Sequence, residues 1–297
     1  MKGILLAGGT GSRLHPLTKA ISKQLLPVYN KPMIYYPLST LMLSGIREIL
    51  IVTTARDQHQ FIDLLGSGEH LGLRIEYVIQ DEPKGIAHAL LLGEDFADGD
   101  NVALILGDNI FYGAGVGISL KSYAAKTGAT VFAQKVTDPS RYGVIEVDDS
   151  GNPIALEEKP MKPKTDLAVT GLYFFDNSAF SRIKTLKPSS RGELEVTDLN
   201  LSYLKSGSLN VYRLPRGTAW LDTGTVESLA QASEFVKVVE SRQGLMIGCP
   251  EEIAWKLGYL NDKELEVLAA SYGTGDYSAY LVKILKNEPK PRSALDR

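Results

Sequence analysis

Apolar positions in the first half of the chain alternate between two spacings. GILLA at 3–7 is an unbroken apolar run, the mark of a covered strand. From 32 to 45 the period becomes helical, with Ile34, Leu38, Leu41 and Met42 on one face. The alternation continues with EILIVTT at 48–54 as a strand and DQHQFIDLLG at 57–66 as a helix with Asp57 near its cap. LRIEYVIQ at 73–80 predicts a strand, GIAHALLLGEDF at 85–96 a helix, and VALILGDN at 102–109 a strand with almost no polar residue before its end. Continuous apolar strands suit a parallel sheet covered on both faces. Strands alternating with helices predict an α/β, doubly wound, mostly parallel sheet of Rossmann-like kind.

The pattern then changes. ATVFAQKV at 129–136 predicts a strand, 143–160 a hairpin turning at 149–152, and AVTGLYFFD at 168–176 a further strand. Helical spacing follows at 178–186 and 195–206, and the TGT after WLD should cap a long helix from about Val226. Beyond Pro250 only helical signals appear, such as Ile253, Leu257 and Leu260. The expected organisation is one domain over 1–245 carrying a small β insertion, and a helical C-terminal tail over 246–297 packed on that domain or on a neighbouring subunit. Neither an internal repeat nor a low-complexity linker is visible.

Composition narrows the function classes. With 297 residues, 44% hydrophobic and 23% charged, the chain has an ordinary globular balance. A net charge of −3 leaves no basic footprint for nucleic acid or an anionic membrane. One cysteine, Cys249, allows no internal disulfide and suits a reducing compartment. The most apolar stretch, 33–46, contains Ser39, Thr40 and Ser44 and is shorter than the roughly 18 residues of a membrane span. With no signal-peptide pattern at the N-terminus, a cytoplasmic protein is expected.

Candidate chemistry begins at GGTGSR. The dinucleotide fingerprint fails, because the third glycine position counted from Gly9 and Gly11 is Leu14, and no lysine follows at P-loop spacing. Gly8, Gly9 and Gly11 nonetheless let backbone N–H groups approach phosphate oxygens at the carboxyl end of the first strand. Arg13 offers a planar fork and Lys23 a mobile point charge, a pairing that suits a triphosphate. The same residues also read as a tight turn with solvated basic side chains. Asp108, in LGDN, reads as a cap, a ribose ligand or a metal ligand, Asp222, in WLDTGT, has the same cap reading, and the two together fit a Mg²⁺ site. EEKP offers Glu158 to sugar hydroxyls and Lys159 to a phosphate, or is an exposed hairpin end. The four histidines lack metal-ligand spacing; His59 and His88 fall in helical stretches and read as structural. Cys249 reads as a buried thiol.

Taken together, KGILLAGGTGSRLHPLTKAISKQLLPVYNKPMIYYPLSTLMLSGI, QDEPKGIAHAL, LGDNIFYG, RYGVIEVD, EEKP, VTGLYFFD, SSRGELEVTDLN, WLDTGT and CPEEIAW resemble the sugar-1-phosphate nucleotidyltransferases, across essentially the whole chain. The resemblance is nearest to the thymidylyl-transferring members. It implies that dTTP and α-D-glucose 1-phosphate give dTDP-glucose and pyrophosphate, the first step of dTDP-L-rhamnose and related deoxysugar synthesis. It further implies a nucleotide-binding half to about 136 and a sugar-binding part over about 137–220. Gly8, Gly9, Thr10, Gly11, Arg13, Lys23 and Gln24 would surround the triphosphate, with Gln80, Pro83 and Gly85 at the base. Asp108 and Asp222 would hold Mg²⁺; Arg13, Lys23, Asp108, Lys159 and Asp222 form the implied catalytic set. Asn109, Tyr142, Gly143, Glu158 and Val169 would line the sugar, and Lys159 and Arg191 would grip its phosphate. A homotetramer with a second, regulatory nucleotide site is implied, its candidates being Tyr112, Gly113, Gly217, Cys249, Glu252 and Ile253. The competing readings are transfer from UTP or another triphosphate, a metal-dependent glycosyltransferase, and a non-catalytic regulator that binds nucleotide sugars.

Overall fold

The computed structural model describes residues 1–9, 11–113, 116–123 and 127–287. In chain order the first half runs β1 (Lys2–Leu6), β2 (Pro27–Val28), β3 (Lys31–Pro32), α1 (Tyr35–Leu43), β4 (Glu48–Thr53), α2 (Gln58–Leu65), β5 (Arg74–Ile79), α3 (Ile86–Leu91), α4 (Glu94–Ala97), β6 (Val102–Leu106), β7 (Asn109–Tyr112) and α5 (Val116–Tyr123). The second half runs β8 (Ala129–Lys135), β9 (Gly143–Val147), β10 (Pro153–Glu158), β11 (Leu167–Phe175), α6 (Ser178–Ile183), α7 (Val196–Lys205), β12 (Leu209–Arg213), β13 (Ala219–Asp222), α8 (Val226–Gln243), α9 (Pro250–Lys256), α10 (Asp262–Ser271) and α11 (Asp276–Asn287).

The main sheet has the order β10-β9-β11-β6-β1-β4-β5, with β8 paired to β11 and β12 to β8. Strands β6, β1, β4 and β5 are parallel, the doubly wound half that periodicity predicts. Beyond β6 the sheet turns antiparallel through β11, which also pairs with β8 and β9. The unbroken apolar strands follow from cover on both faces. Ile4 and Leu104 face a core with Ala87 and Leu199, from α3 and α7. Their neighbours Leu5 and Ile105 face the opposite core, with Leu38 of α1 and Trp255 and Leu281 of the tail. The tail therefore shares a core with the parallel strands; residues 288–297 lie outside the described residues.

At two places the chain breaks an element that the periodicity runs together, and both breaks sit at glycines. The helix expected over 85–96 is split into α3 and α4, because Gly93 lies so close to the sheet that a Cβ would stand 2.5 Å from Ile4 Cδ1. The strand expected over 102–109 stops at Leu106. A Cβ on Gly107 would lie 2.4 Å from the Leu6 carbonyl oxygen, so the chain turns there. β7 then leaves the main sheet and pairs antiparallel with β13. Thr225 caps α8, its side chain accepting from the Ser228 N–H while Ser228 accepts from the Thr225 N–H.

Candidate active site

The glycine loop leaves β1 at the carboxyl end of the parallel strands, held by Ala7 N–H on the Val52 carbonyl and Gly107 N–H on the Leu6 carbonyl. Gly9 has φ +99° and Gly11 φ +58°, left-handed conformations that favour glycine. Gly11 is also locked from the side: its carbonyl accepts from Thr18 Oγ1 at 2.8 Å, and a Cβ on it would stand 2.9 Å from Thr18 Cγ2.

Below the loop lies a cleft of about 290 Å³. Gly8, Gly9, Lys23, Gln24, Gln80, Pro83, Gly85, Asp108, Glu158, Lys159 and Arg191 all line it, so nucleotide and sugar candidates separated by more than half the chain meet in one space. Thr10 lies outside the described residues. Lys23 Nζ stands 2.5 Å from Asp108 Oδ2, with both side chains largely buried. Burial alone would raise the Asp108 pKa, but the Lys23 charge and hydrogen bonds from Lys23 and Asn109 outweigh it and hold the carboxyl below its ordinary value. The aspartate is therefore kept ionised.

Asp222 reaches Asp108 through backbone. In the β7–β13 ladder Asp222 stands opposite Asn109. The next residue, Thr223, donates both its N–H, at 3.0 Å, and its hydroxyl, at 2.9 Å, to the Asp108 carbonyl. Neither aspartate caps a helix; that role belongs to Thr225. Asp222 accepts from Tyr142 Oη at 2.9 Å and from Arg141 at 3.2 Å. Burial and the Asp222 charge push the Tyr142 phenol up to about 12, so it remains a donor. Arg13 is exposed, and its guanidinium and Asp222 flank Gly224, whose added Cβ would lie 3.4 Å from Arg13 Nη2 and 3.6 Å from Asp222 Oδ2.

Among the sugar candidates, Glu158 accepts from Thr197 Oγ1 at 2.5 Å and pairs with Lys159 at 3.0 Å. A Cβ on Gly143 would lie 3.4 Å from Glu158 Oε2 and 3.8 Å from Val169 Cβ, so these three residues form one wall. Lys159 has φ +45°, a strained conformation for a lysine and of the kind concentrated at functional sites. Arg191 is held by Glu195 at 2.9 Å. Asn109 is 3% exposed: its Oδ1 accepts from Trp220 Nε1 and Gly171 N–H, and its Nδ2 donates to Asp108 Oδ1 at 2.7 Å. It thus orients the aspartate. Arg141, Thr197, Glu195, Trp220 and Thr223 were not singled out from sequence. Their positions inside RYG, EVTD and WLDT, next to chosen residues, were the available signal.

A second pocket, of about 430 Å³, is lined by Tyr112, Gly113, Cys249, Glu252 and Ile253 of the regulatory candidates. Gly217 is not among its lining residues, although its neighbour Thr218 packs on Gly113. Ser39, 2% exposed, also lines this pocket, and its hydroxyl has no hydrogen-bond partner. Burial raises the Cys249 thiol well above its ordinary pKa.

Among the described residues no group of three or more His, Cys, Asp and Glu is placed to hold a metal. The donor set that Asp108 of the cleft and Asp222 beyond it offer is two carboxylates, hard oxygen ligands without nitrogen or sulfur. That set fits Mg²⁺, which keeps waters and takes phosphate oxygens beside one or two protein carboxylates.

A glycine loop, a lysine paired with a buried aspartate and a second aspartate tied to it by backbone, at the carboxyl edge of a parallel sheet, fit an enzyme that works on nucleotide phosphates. The nucleotidyl transferase family profile matches residues 2–238, and the chain belongs to that family. It is 55% identical to the glucose-1-phosphate thymidylyltransferase of Neisseria meningitidis serogroup A, over 96% of this chain and 100% of that one. It is 51% identical to the glucose-1-phosphate thymidylyltransferase of Mycobacterium tuberculosis H37Rv, over 96% and 99%. Among solved structures it resembles a Bacillus anthracis protein assigned as a glucose-1-phosphate thymidylyltransferase and solved with sucrose, with a TM-score of 0.74 and 46% identity, covering 79% of this chain and 94% of that one. A UDP-glucose pyrophosphorylase complexed with UDP-glucose aligns with a TM-score of 0.72 at 26% identity, over 80% and 98%.

Proposed function

We propose that the chain transfers the thymidylyl group of dTTP to α-D-glucose 1-phosphate, releasing dTDP-glucose and pyrophosphate. The observation that carries this reading is that Asp108, paired with Lys23 and joined by Thr223 to the strand end that carries Asp222, lines a cleft together with Gln80, Glu158 and Lys159. Relatives of near full length named for that activity supply the base and the sugar.

A phosphate oxygen of glucose 1-phosphate attacks the α-phosphorus of dTTP in line, and the bond from that phosphorus to the bridging oxygen of pyrophosphate breaks. A protein nucleophile is unnecessary; Cys249, the only cysteine, is buried in the other pocket. Catalysis comes from positioning and charge neutralisation. Backbone N–H groups of the glycine loop cradle the triphosphate, and Arg13 and Lys23 offset negative charge. Lys159 and Arg191 hold the sugar phosphate, Glu158 accepts from sugar hydroxyls, and Gln80 with Gly85 reads the base. Asp108 and Asp222 would hold Mg²⁺, which supplies further neutralisation of phosphate charge.

The second pocket fits a regulatory ligand site, supported by the unpartnered Ser39 hydroxyl at its wall. We propose the same assembly as the resemblance implies, a homotetramer. Among the described residues no helix is long and apolar enough to cross a membrane. A cytoplasmic enzyme accords with that and with the single buried thiol. The UDP-glucose pyrophosphorylase neighbour supports a second reading, transfer from UTP, since uracil lacks only the methyl group of thymine.

Pyrophosphate release across a panel of nucleoside triphosphates and sugar 1-phosphates tests the reading. Fastest release with dTTP and glucose 1-phosphate is expected. Preference for UTP would change the nucleotide, and no release with any pair would refute nucleotidyl transfer.

A further inference from the structure

Gln80 follows β5, and its amide nitrogen stands 3.2 Å from the Gly85 carbonyl oxygen and 3.0 Å from His88 Nδ1. A carbonyl oxygen only accepts, so the amide nitrogen must face Gly85, and the amide cannot be turned over without setting two acceptors against each other. The second amide proton then goes to His88 Nδ1. That requires a neutral imidazole carrying its proton on Nε2. Both N–H groups of Gln80 are consumed, and Oε1 is left toward the glycine loop, 3.7 Å from where a Cβ of Gly8 would stand. Gln80 and Gly8 both line the cleft.

The support for this arrangement is rigid. Gly85 has φ +99°, and a Cβ there would stand 2.4 Å from the Leu194 carbonyl oxygen, so the start of α3 is fixed against the segment before α7. His88 is the third residue of α3, in its first turn.

We infer that His88 is a positioning residue for base selection: by taking the second amide proton of Gln80 it leaves the cleft with an acceptor-only side chain, which fits the imide N–H of thymine or uracil and opposes the ring-nitrogen lone pairs of cytosine and adenine. The inference rests on the thymidylyl-transfer reading. It gives His88, read from the sequence as a structural helix residue, a role beyond that. The charged groups acting on the ring are Lys84, which pairs with Glu82 at 2.7 Å, and Glu82 itself. Burial, then the Lys84 charge, hold the His88 pKa below its ordinary value against the opposing pull of Glu82. The ring stays neutral until the pH falls through that lowered pKa; Nδ1 then becomes a donor facing a donor.

The test is the KM for dTTP and the Ki of dCTP as a competitor, read by pyrophosphate release with saturating glucose 1-phosphate, together with melting temperatures. In His88→Ala the ratio of dCTP Ki to dTTP KM should fall about three- to tenfold, the range of one neutral hydrogen bond, with kcat little changed. His88→Gln, whose amide oxygen restores an acceptor, should recover the ratio. In the wild type the ratio should fall as the pH drops through the His88 titration. An unchanged ratio in folded His88→Ala overturns the inference, and should that variant not fold, a pH-independent wild-type ratio does so. Wild-type enzyme that releases no pyrophosphate from dTTP would instead refute the thymidylyl reading beneath it.

Discussion

Thr223 donates two hydrogen bonds, one from its backbone N–H and one from its hydroxyl, to the carbonyl oxygen of Asp108. It is fully buried, so the junction is shielded from competing water. The consequence is that Asp222, its neighbour in the chain, is fixed beside Asp108 by backbone rather than by flexible side chains. Each carboxylate also has a cation of its own, Lys23 on Asp108 and Arg141 on Asp222.

Arg13→Ala should lower kcat far more than it raises the KM for dTTP. Arg13 is exposed and lies by Gly224 and Asp222; in the proposed reaction it would meet charge that grows on the leaving pyrophosphate. Losing one donor that acts mainly in the transition state costs on the order of 10²–10³ in kcat. Steady-state kinetics decide; a raised KM with normal kcat would reduce Arg13 to a binding residue.

The loop after the site is anchored by a buried ion pair. Lys31 Nζ stands 2.7 Å from Glu240 Oε1, with side-chain exposures of 1% and 7%. Asn30 and the Ile247 N–H complete the bonding of Glu240. Burial lowers the Lys31 pKa, and the Glu240 hydrogen bond and charge oppose that shift. Lys31→Met leaves a buried carboxylate unpaired and should cost about 3–5 kcal/mol, whereas Lys31→Met with Glu240→Leu should cost less than the single change. Urea unfolding of both variants checks this; a single variant within about 1 kcal/mol of wild type would show that the pair does not anchor the loop.

Cys249 should resist alkylation in the folded enzyme. Its thiol is 1% exposed, and burial raises its pKa well above the ordinary value, so little thiolate exists at neutral pH. Iodoacetamide labelling followed by mass spectrometry should show modification only after unfolding. Rapid labelling of native enzyme would mean that the second pocket exposes the thiol.

The parallel half and the glycine loop were legible because the sequence records their physics directly. Ile4 and Leu5 face different cores, which forces an unbroken apolar strand, and the loop needs glycines where φ is positive. The end of β6 was not legible: an apolar run does not reveal that Gly107 must pass close to Leu6. The meeting of Asp108 with Asp222 was likewise hidden, since it depends on β7 leaving the main sheet to pair with β13. The family resemblance supplied Gln80 and the sugar wall, which periodicity alone did not reach. The contact of His88 with Gln80 was hidden too, because a histidine in a helical stretch carries no mark of what its ring nitrogens touch.

Asp108 and Asp222 acting as one site is tested most directly by a double-mutant cycle on kcat/KM. Asp108→Asn and Asp222→Asn should each cost on the order of 10²–10³ or more, and the double variant should be little worse than the more damaged single one, as for residues that work as a unit. Losses that multiply in the double variant would mean the two carboxylates act independently, and would contradict a shared site built by the Thr223 junction.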